Sequence, residues 1–211
     1  SVVVAAGNDN SDVADDDPGS CVGVITVAAT SRTGNKATYS NAGAQVAIAA
    51  PGGDISISGG QDGILSTVNA GSQGPTIDAY SYYDGTSMAT PHVSGEVSLM
   101  LSVNPSLTPA QVRQIVQRTA TPFPTTSSCS TSTCGAGIAN VACAVVASQA
   151  LLAPAGFTAI TPVRLADTRP SEPQQALAVV KQKYGGAAVL QVPVTAGGCS
   201  AGVATAASLN V

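Results

Sequence analysis

The stretch Asp84-Gly85-Thr86-Ser87-Met88-Ala89-Thr90-Pro91-His92-Val93-Ser94-Gly95 sets a serine between a turn-forming glycine and a run of small residues able to open a helix. A serine hydroxyl is a poor nucleophile at its free pKa. It becomes effective at a rigid turn, beside a base, with hydrogen-bond donors aimed at the developing oxyanion. A helix N-terminus supplies such donors, because its first N–H groups lack intrahelical partners and favour negative charge. Pro91 is expected within the first turn, where a missing N–H costs little. Gly-Thr-Ser alone would read as a Ser/Thr helix cap. The whole string is too long and too particular for that.

A second stretch bears on the same chemistry. Residues 1–6 are a continuous apolar run ending in Gly7-Asn8. The run reads as a central parallel strand, buried on both faces. Asn8 falls just past its C-terminal end, where open α/β sheets place ligands. The plainer reading of Asn8 is a turn residue.

Gly85-Thr86-Ser87-Met88-Ala89-Thr90-Pro91-His92-Val93 resembles the nucleophile segment of subtilisin-like serine proteases, and Val2-Val3-Val4-Ala5-Ala6-Gly7-Asn8 resembles that family's oxyanion-hole strand. The order and spacing of the two also fit, and the resemblance covers roughly residues 1–153. It implies Ser87 as nucleophile, Asn8 as side-chain oxyanion donor, and substrate contact along Ala6 and Gly7. The family's triad runs Asp, His, Ser in chain order. The Asp and His segments would lie upstream of Ser1, so the chain is expected to be the C-terminal part of a longer protein. The sole histidine, His92, follows Ser87 on the same predicted helix and is read as structural.

Residues 9–20 are polar and acidic, with Asp15-Asp16-Asp17-Pro18. A solvated loop is the general expectation for such a run. The resemblance offers another role. The loop before the matching proline forms the floor of the pocket for the residue preceding the scissile bond (P1). Asp16 could reach that floor and favour a basic P1 side chain.

Composition bounds the alternatives. The 211 residues allow one medium domain and part of a second; they are 44% hydrophobic, 9% charged and 3% aromatic, with net charge −4. A disordered chain would need higher charge and lower hydrophobicity. Nucleic-acid binding would need a basic footprint. No uninterrupted apolar run approaches the roughly 20 residues of a membrane span. Among Cys21, Cys129, Cys134, Cys143 and Cys199, the pair at 129 and 134 brackets a short loop that a disulfide could close. Few charges, loop staples and a protease motif together point to secretion. Cys21 is expected to pair with a cysteine upstream.

Elements to position these residues are readable in order. Strands are expected at residues 23–29, 45–50 and 64–67, with a polar connection over 70–84. The glycines at 52, 53, 59, 60 and 63 lack the Lys-Ser/Thr of a phosphate loop. The helix over 86–103 is apolar on most sides, except at Glu96, where covering is expected to thin. Thr108, Pro109 and Gln111 form a capping box that opens a helix over 110–119. Cys134-Gly135-Ala136-Gly137-Ile138-Ala139-Asn140-Val141 resembles the family's turn into its last helix, expected to run to about 152.

Composition shifts at 153. Residues 1–153 carry four basic and ten acidic residues; residues 154–211 carry four and two. Pro162-Val163-Arg164-Leu165-Ala166-Asp167-Thr168-Arg169 resembles an element that starts accessory β-domains of secreted bacterial proteins. Strands are expected at 189–194 and 204–211.

The expected fold is therefore α/β, a subtilisin-like parallel sheet with flanking helices over 1–153, plus a partial all-β domain over 154–211. The expected activity is serine endopeptidase, acting on protein or peptide substrates as a secreted monomer, with no nucleic-acid partner and no membrane span. The chain alone, lacking the base, is expected to be inactive. The rival is a protease-related binding protein without catalysis. An α/β-hydrolase would need Gly-x-Ser-x-Gly, which Gly-Thr-Ser-Met-Ala does not match. The chemistry requires no cofactor, and no metal ligand is assigned. The resemblance leaves room for structural calcium, although no D-x-D-x-D-G loop is present.

Overall fold

The structure, a computed structural model, describes residues 1–58, 60–151, 193–196 and 199–203. Three parallel strands lie in the order β1 (Val3–Ala5), β2 (Ile25–Thr30), β3 (Val46–Pro51). Val3 pairs with Ile25 and Ala5 with Val27, while a register shift after Thr26 sets Val27 against Ile48. Strands β2 and β3 are buried almost throughout, as their unbroken apolar sequences require. β1 differs from its expected burial. It is the edge of this sheet, and Val3, Val4 and Ala5 are only half-buried.

Alternation along β2 divides the core. Ile25, Val27 and Ala29 meet one cluster, with Ala89, Val93, Val97 and Met100 of helix α2 (Thr86–Val103), Val112, Ile115 and Val116 of α3 (Pro109–Arg118) and Ala144 of α4 (Val141–Ala150). Ala28 joins Ala6, Val13, Val46, Ala49 and the Cys129–Cys134 disulfide on the other face. The cap of α3 is as expected: Thr108 Oγ1 accepts from Gln111 N–H, and Gln111 Oε1 accepts from Thr108 N–H at 2.8 Å. Among the described residues no helix is long and apolar enough to cross a membrane.

Three further expectations need correction. Residues 70–84 are not all connection: strand β5 (Asp78–Tyr83) pairs antiparallel with β4 (Ile64–Asn69). Its alternating Tyr and small residues leave both faces largely open, so no apolar period marks it. Pro91 lies inside α2, beyond the first turn. The N–H it lacks would have reached the Ser87 carbonyl, four residues back. Glu96 is not at a thin place in the covering; it is 1% exposed. Helical geometry puts it on the stripe of Ala89, Val93 and Met100.

The motif at Pro162–Arg169 and the strand expected at 204–211 lie outside the described residues. The strand expected at 189–194 overlaps β6 (Pro193–Ala196), which pairs with β7 (Cys199–Val203).

Candidate active site

The C-terminal end of β1 and the N-terminal end of α2 meet at three residues. Asn8 Oδ1 accepts from both Thr86 N–H and Thr86 Oγ1–H, each at 2.9 Å. Thr86 Oγ1 in turn accepts from Gly7 N–H at 3.3 Å. A backbone N–H can meet only an acceptor, so the amide orientation of Asn8 is set chemically. Its Nδ2 is left as the outward donor. Ser87 is exposed, and its N–H, in the first helical turn, has no intrahelical acceptor.

Gly85 lies beside both donors. A Cβ built on it would lie 3.6 Å from Ser87 N and 3.9 Å from Asn8 Nδ2, with φ at +152°. Ser87 N and Asn8 Nδ2 therefore both lie within contact distance of one point beside Gly85, whose positive φ favours glycine. Gly85 is held from behind. Its N–H donates to Tyr39 Oη at 2.7 Å, and the single proton of that hydroxyl is shared between the carbonyls of Gly53 and Gly52, at 2.7 and 3.0 Å. Burial pushes the Tyr39 hydroxyl well above its ordinary pKa, so it stays a neutral donor.

His92 is exposed, and its Nδ1 is paired with the Met88 carbonyl at 2.8 Å. It makes no hydrogen bond to Ser87.

Asp16 approaches from the loop after Asn8. It is half-buried, and its Oδ2 accepts from Asn41 Nδ2 at 2.9 Å. A Cβ on Gly7 would fall 1.9 Å from that oxygen, so the carboxylate lies against the bare Cα of Gly7. Ala6 has no exposed surface, and its N–H donates to the Val27 carbonyl at 3.0 Å. A cavity of about 720 Å³, lined in part by Arg32, Gly53, Leu65 and Tyr82, includes none of Asn8, Asp16 or Ser87.

Several oxygens of the acidic loop accept hydrogen bonds from nearby groups. Asp12 Oδ1 caps Ala14 N–H and Asp17 Oδ1 accepts from Ser20 Oγ, while the Pro18 and Gly19 carbonyls accept from Cys21 N–H and Thr26 Oγ1. Among the described residues no three His, Cys, Asp or Glu side chains converge as a metal site. Cys21 is exposed and free.

Sequence reasoning missed Thr86, Tyr39 and Asn41. Thr86 stood beside the nucleophile in the motif; the other two carried no local signal. It also left Glu96 without a role. Both carboxylate oxygens of Glu96 are buried without a hydrogen-bond partner, and burial raises its pKa from 4.5 to about 7. A group whose folded pKa is raised favours folding most below its unfolded pKa. Stability should therefore fall as pH rises from about 4.5 through about 7, by about 3 kcal/mol in full. Glu96→Gln should lack this fall. Urea unfolding of both proteins at pH 4 and pH 8 checks it, and parallel pH profiles would refute it.

Residues 1–163 match the family model described as "Subtilase family". The chain is 47% identical over 148 residues to an extracellular protease of Xanthomonas campestris pv. campestris, covering 70% of this chain and 23% of that one. It is 37% identical over 123 residues to subtilisin E of Bacillus subtilis, covering 57% of this chain and 28% of the relative. A solved protease structure from Pseudoalteromonas arctica superposes with a TM-score of 0.64 at 45% identity, covering 70% of this chain and 42% of that one. The chain thus spans about a quarter of the length of the first two relatives.

Proposed function

The chain belongs to the subtilase family of subtilisin-like serine proteases, and from that premise we propose that it is the nucleophile-bearing part of a secreted serine endopeptidase. Ser87 Oγ attacks the scissile carbonyl of a protein substrate. The Asn8 side chain and the Ser87 N–H hold the oxyanion. The observation that carries this reading is the fixed amide of Asn8: Thr86 occupies its oxygen, and its nitrogen borders the space that Ser87 N also borders. The base that takes the Ser87 proton, and the acid that orients it, are assigned to the part of the protein beyond these residues, because His92 is engaged elsewhere. On this reading the 211 residues alone do not turn over peptides. No cofactor enters the chemistry on this reading. Secretion is proposed by analogy with the extracellular Xanthomonas relative.

The carboxylate of Asp16 beside Gly7 points to a P1 preference for Lys or Arg. The test is the complete protein assayed on paired peptides with Arg or Phe at P1, alongside Asp16→Gly. We expect hydrolysis of both by the wild type, and a fall of at least tenfold in the Arg/Phe ratio of kcat/KM in the variant, the scale of one charge-assisted bond. Absence of any hydrolysis would overturn the protease reading. Hydrolysis with an unchanged ratio would overturn the P1 assignment alone.

A further inference from the structure

Residues 36–42 run alongside the loop that follows Asn8 and bind it almost residue by residue. Asn10 N–H donates to the Tyr39 carbonyl at 2.8 Å, and Ala42 N–H to the Ser11 carbonyl at 3.1 Å. Lys36 Nζ donates to Asn10 Oδ1 at 2.7 Å and to the Ser40 carbonyl at 2.8 Å. At the centre is Asn41, with no exposed surface. Its Oδ1 accepts from Asp9 N–H at 2.9 Å and Ser11 N–H at 3.0 Å. Its Nδ2 donates to Asp16 Oδ2 at 2.9 Å. Its own N–H donates to the Gly7 carbonyl at 3.0 Å.

We propose that Asn41 is a positioning residue that sets the oxyanion donor Asn8 and the P1-selecting carboxylate Asp16 from a single buried side chain. The inference rests on the roles assigned to those two residues above. The chemistry leaves one arrangement. Two backbone N–H groups require the amide oxygen, so the NH₂ must face the carboxylate, which can only accept. The bonds to Asp9 N–H and the Gly7 carbonyl grip the residues on either side of Asn8. A Cβ on Gly7 would lie 2.3 Å from Asn41 Nδ2 and 1.9 Å from Asp16 Oδ2, so the amide and carboxylate both press against Gly7. A shift of Asn41 must move both walls of the site together. Buried polar networks of this kind specify one geometry when every member is satisfied.

Two substitutions in the complete protein separate this role from mere support of the fold. Asn41→Asp keeps the shape and both accepted bonds, but sets a second carboxylate against Asp16. Two carboxylates at that distance share a proton. The Arg/Phe ratio of kcat/KM should then acquire a pH dependence between pH 5 and 8, roughly the range into which such pairing raises a carboxyl, that the wild type lacks. Asn41→Ala should lower kcat on the Phe substrate about tenfold with little change in KM, and lower the Arg/Phe ratio by about tenfold more. In an Asp16→Gly background the ratio effect should vanish while the kcat effect remains. Equal slowing of both substrates in both backgrounds, with an Asn41→Asp pH profile like the wild type's, would overturn the proposal. If Asn41→Ala does not fold, the Asn41→Asp profile decides. If Asp16→Gly alone leaves the ratio unchanged, the P1 reading has failed. The kcat loss in Asn41→Ala then decides the Asn8 half by itself.

Discussion

Ser87→Ala in the complete protein is expected to lower kcat by about 10⁶-fold, the scale found when subtilisin loses its nucleophile, with KM little changed. The loss is large because the hydroxyl forms the covalent intermediate and no neighbour can replace it. The residues beside it in α2 are Thr86, whose hydroxyl is bonded to Asn8, and Met88. The variant should still bind substrate. Its oxyanion donors remain, which in subtilisin leave a residual acceleration of about 10³–10⁴ over water. Unfolding midpoints should match the wild type, because Ser87 is exposed and its side chain makes no hydrogen bond among the described residues. A fall of only a few fold in kcat would mean that another group attacks.

Asn8→Ala is expected to lower kcat by about 10²–10³-fold, with KM again nearly constant; that magnitude is borrowed from the equivalent donor of subtilisin. The donor matters only once negative charge forms on the carbonyl oxygen, so its loss falls on the transition state. Thr86 sharpens the prediction. It supplies both hydrogens that hold Asn8 Oδ1. Thr86→Val removes the hydroxyl but keeps the backbone N–H, so the amide is loosened rather than lost. Its kcat should lie between those of the wild type and Asn8→Ala. In combination with Asn8→Ala it should cost little further kcat, because the side chain it orients is gone. Steady-state kinetics of the three variants checks both points. Additive losses in the double variant would show that Thr86 acts independently of Asn8.

Much of the scaffold was legible because single residues carried local instructions. The Thr108, Pro109 and Gln111 pattern gave the start of α3, the apolar runs gave β2 as a buried strand and β3 as a short one, and the family resemblance implied that they are parallel. The nucleophile motif gave α2 and placed Ser87 at its mouth. Legibility failed where meaning depends on a distant neighbour. β5 has both faces open, so it offers no period to detect. Glu96 reads as a surface residue by type, yet the stripe it shares with Val93 and Met100 carries it inside. Asn41 is an ordinary turn residue by sequence. Its importance appears only when Gly7, Asp9, Ser11 and Asp16 are folded around it. The resemblance implied Asn8 as a donor, but the anchor of its amide was invisible, because Thr86 lies 78 residues away.

The most direct test of the central claim is where a serine-directed fluorophosphonate attaches. Such a reagent reacts only with a serine that is activated by a base and faces an oxyanion hole. The complete protein would be inactivated, digested and mapped by mass spectrometry. One adduct on Ser87 is predicted, formed more slowly in Asn8→Ala and absent in Ser87→Ala. Inactivation with the adduct on another residue and Ser87 unmodified would contradict the account.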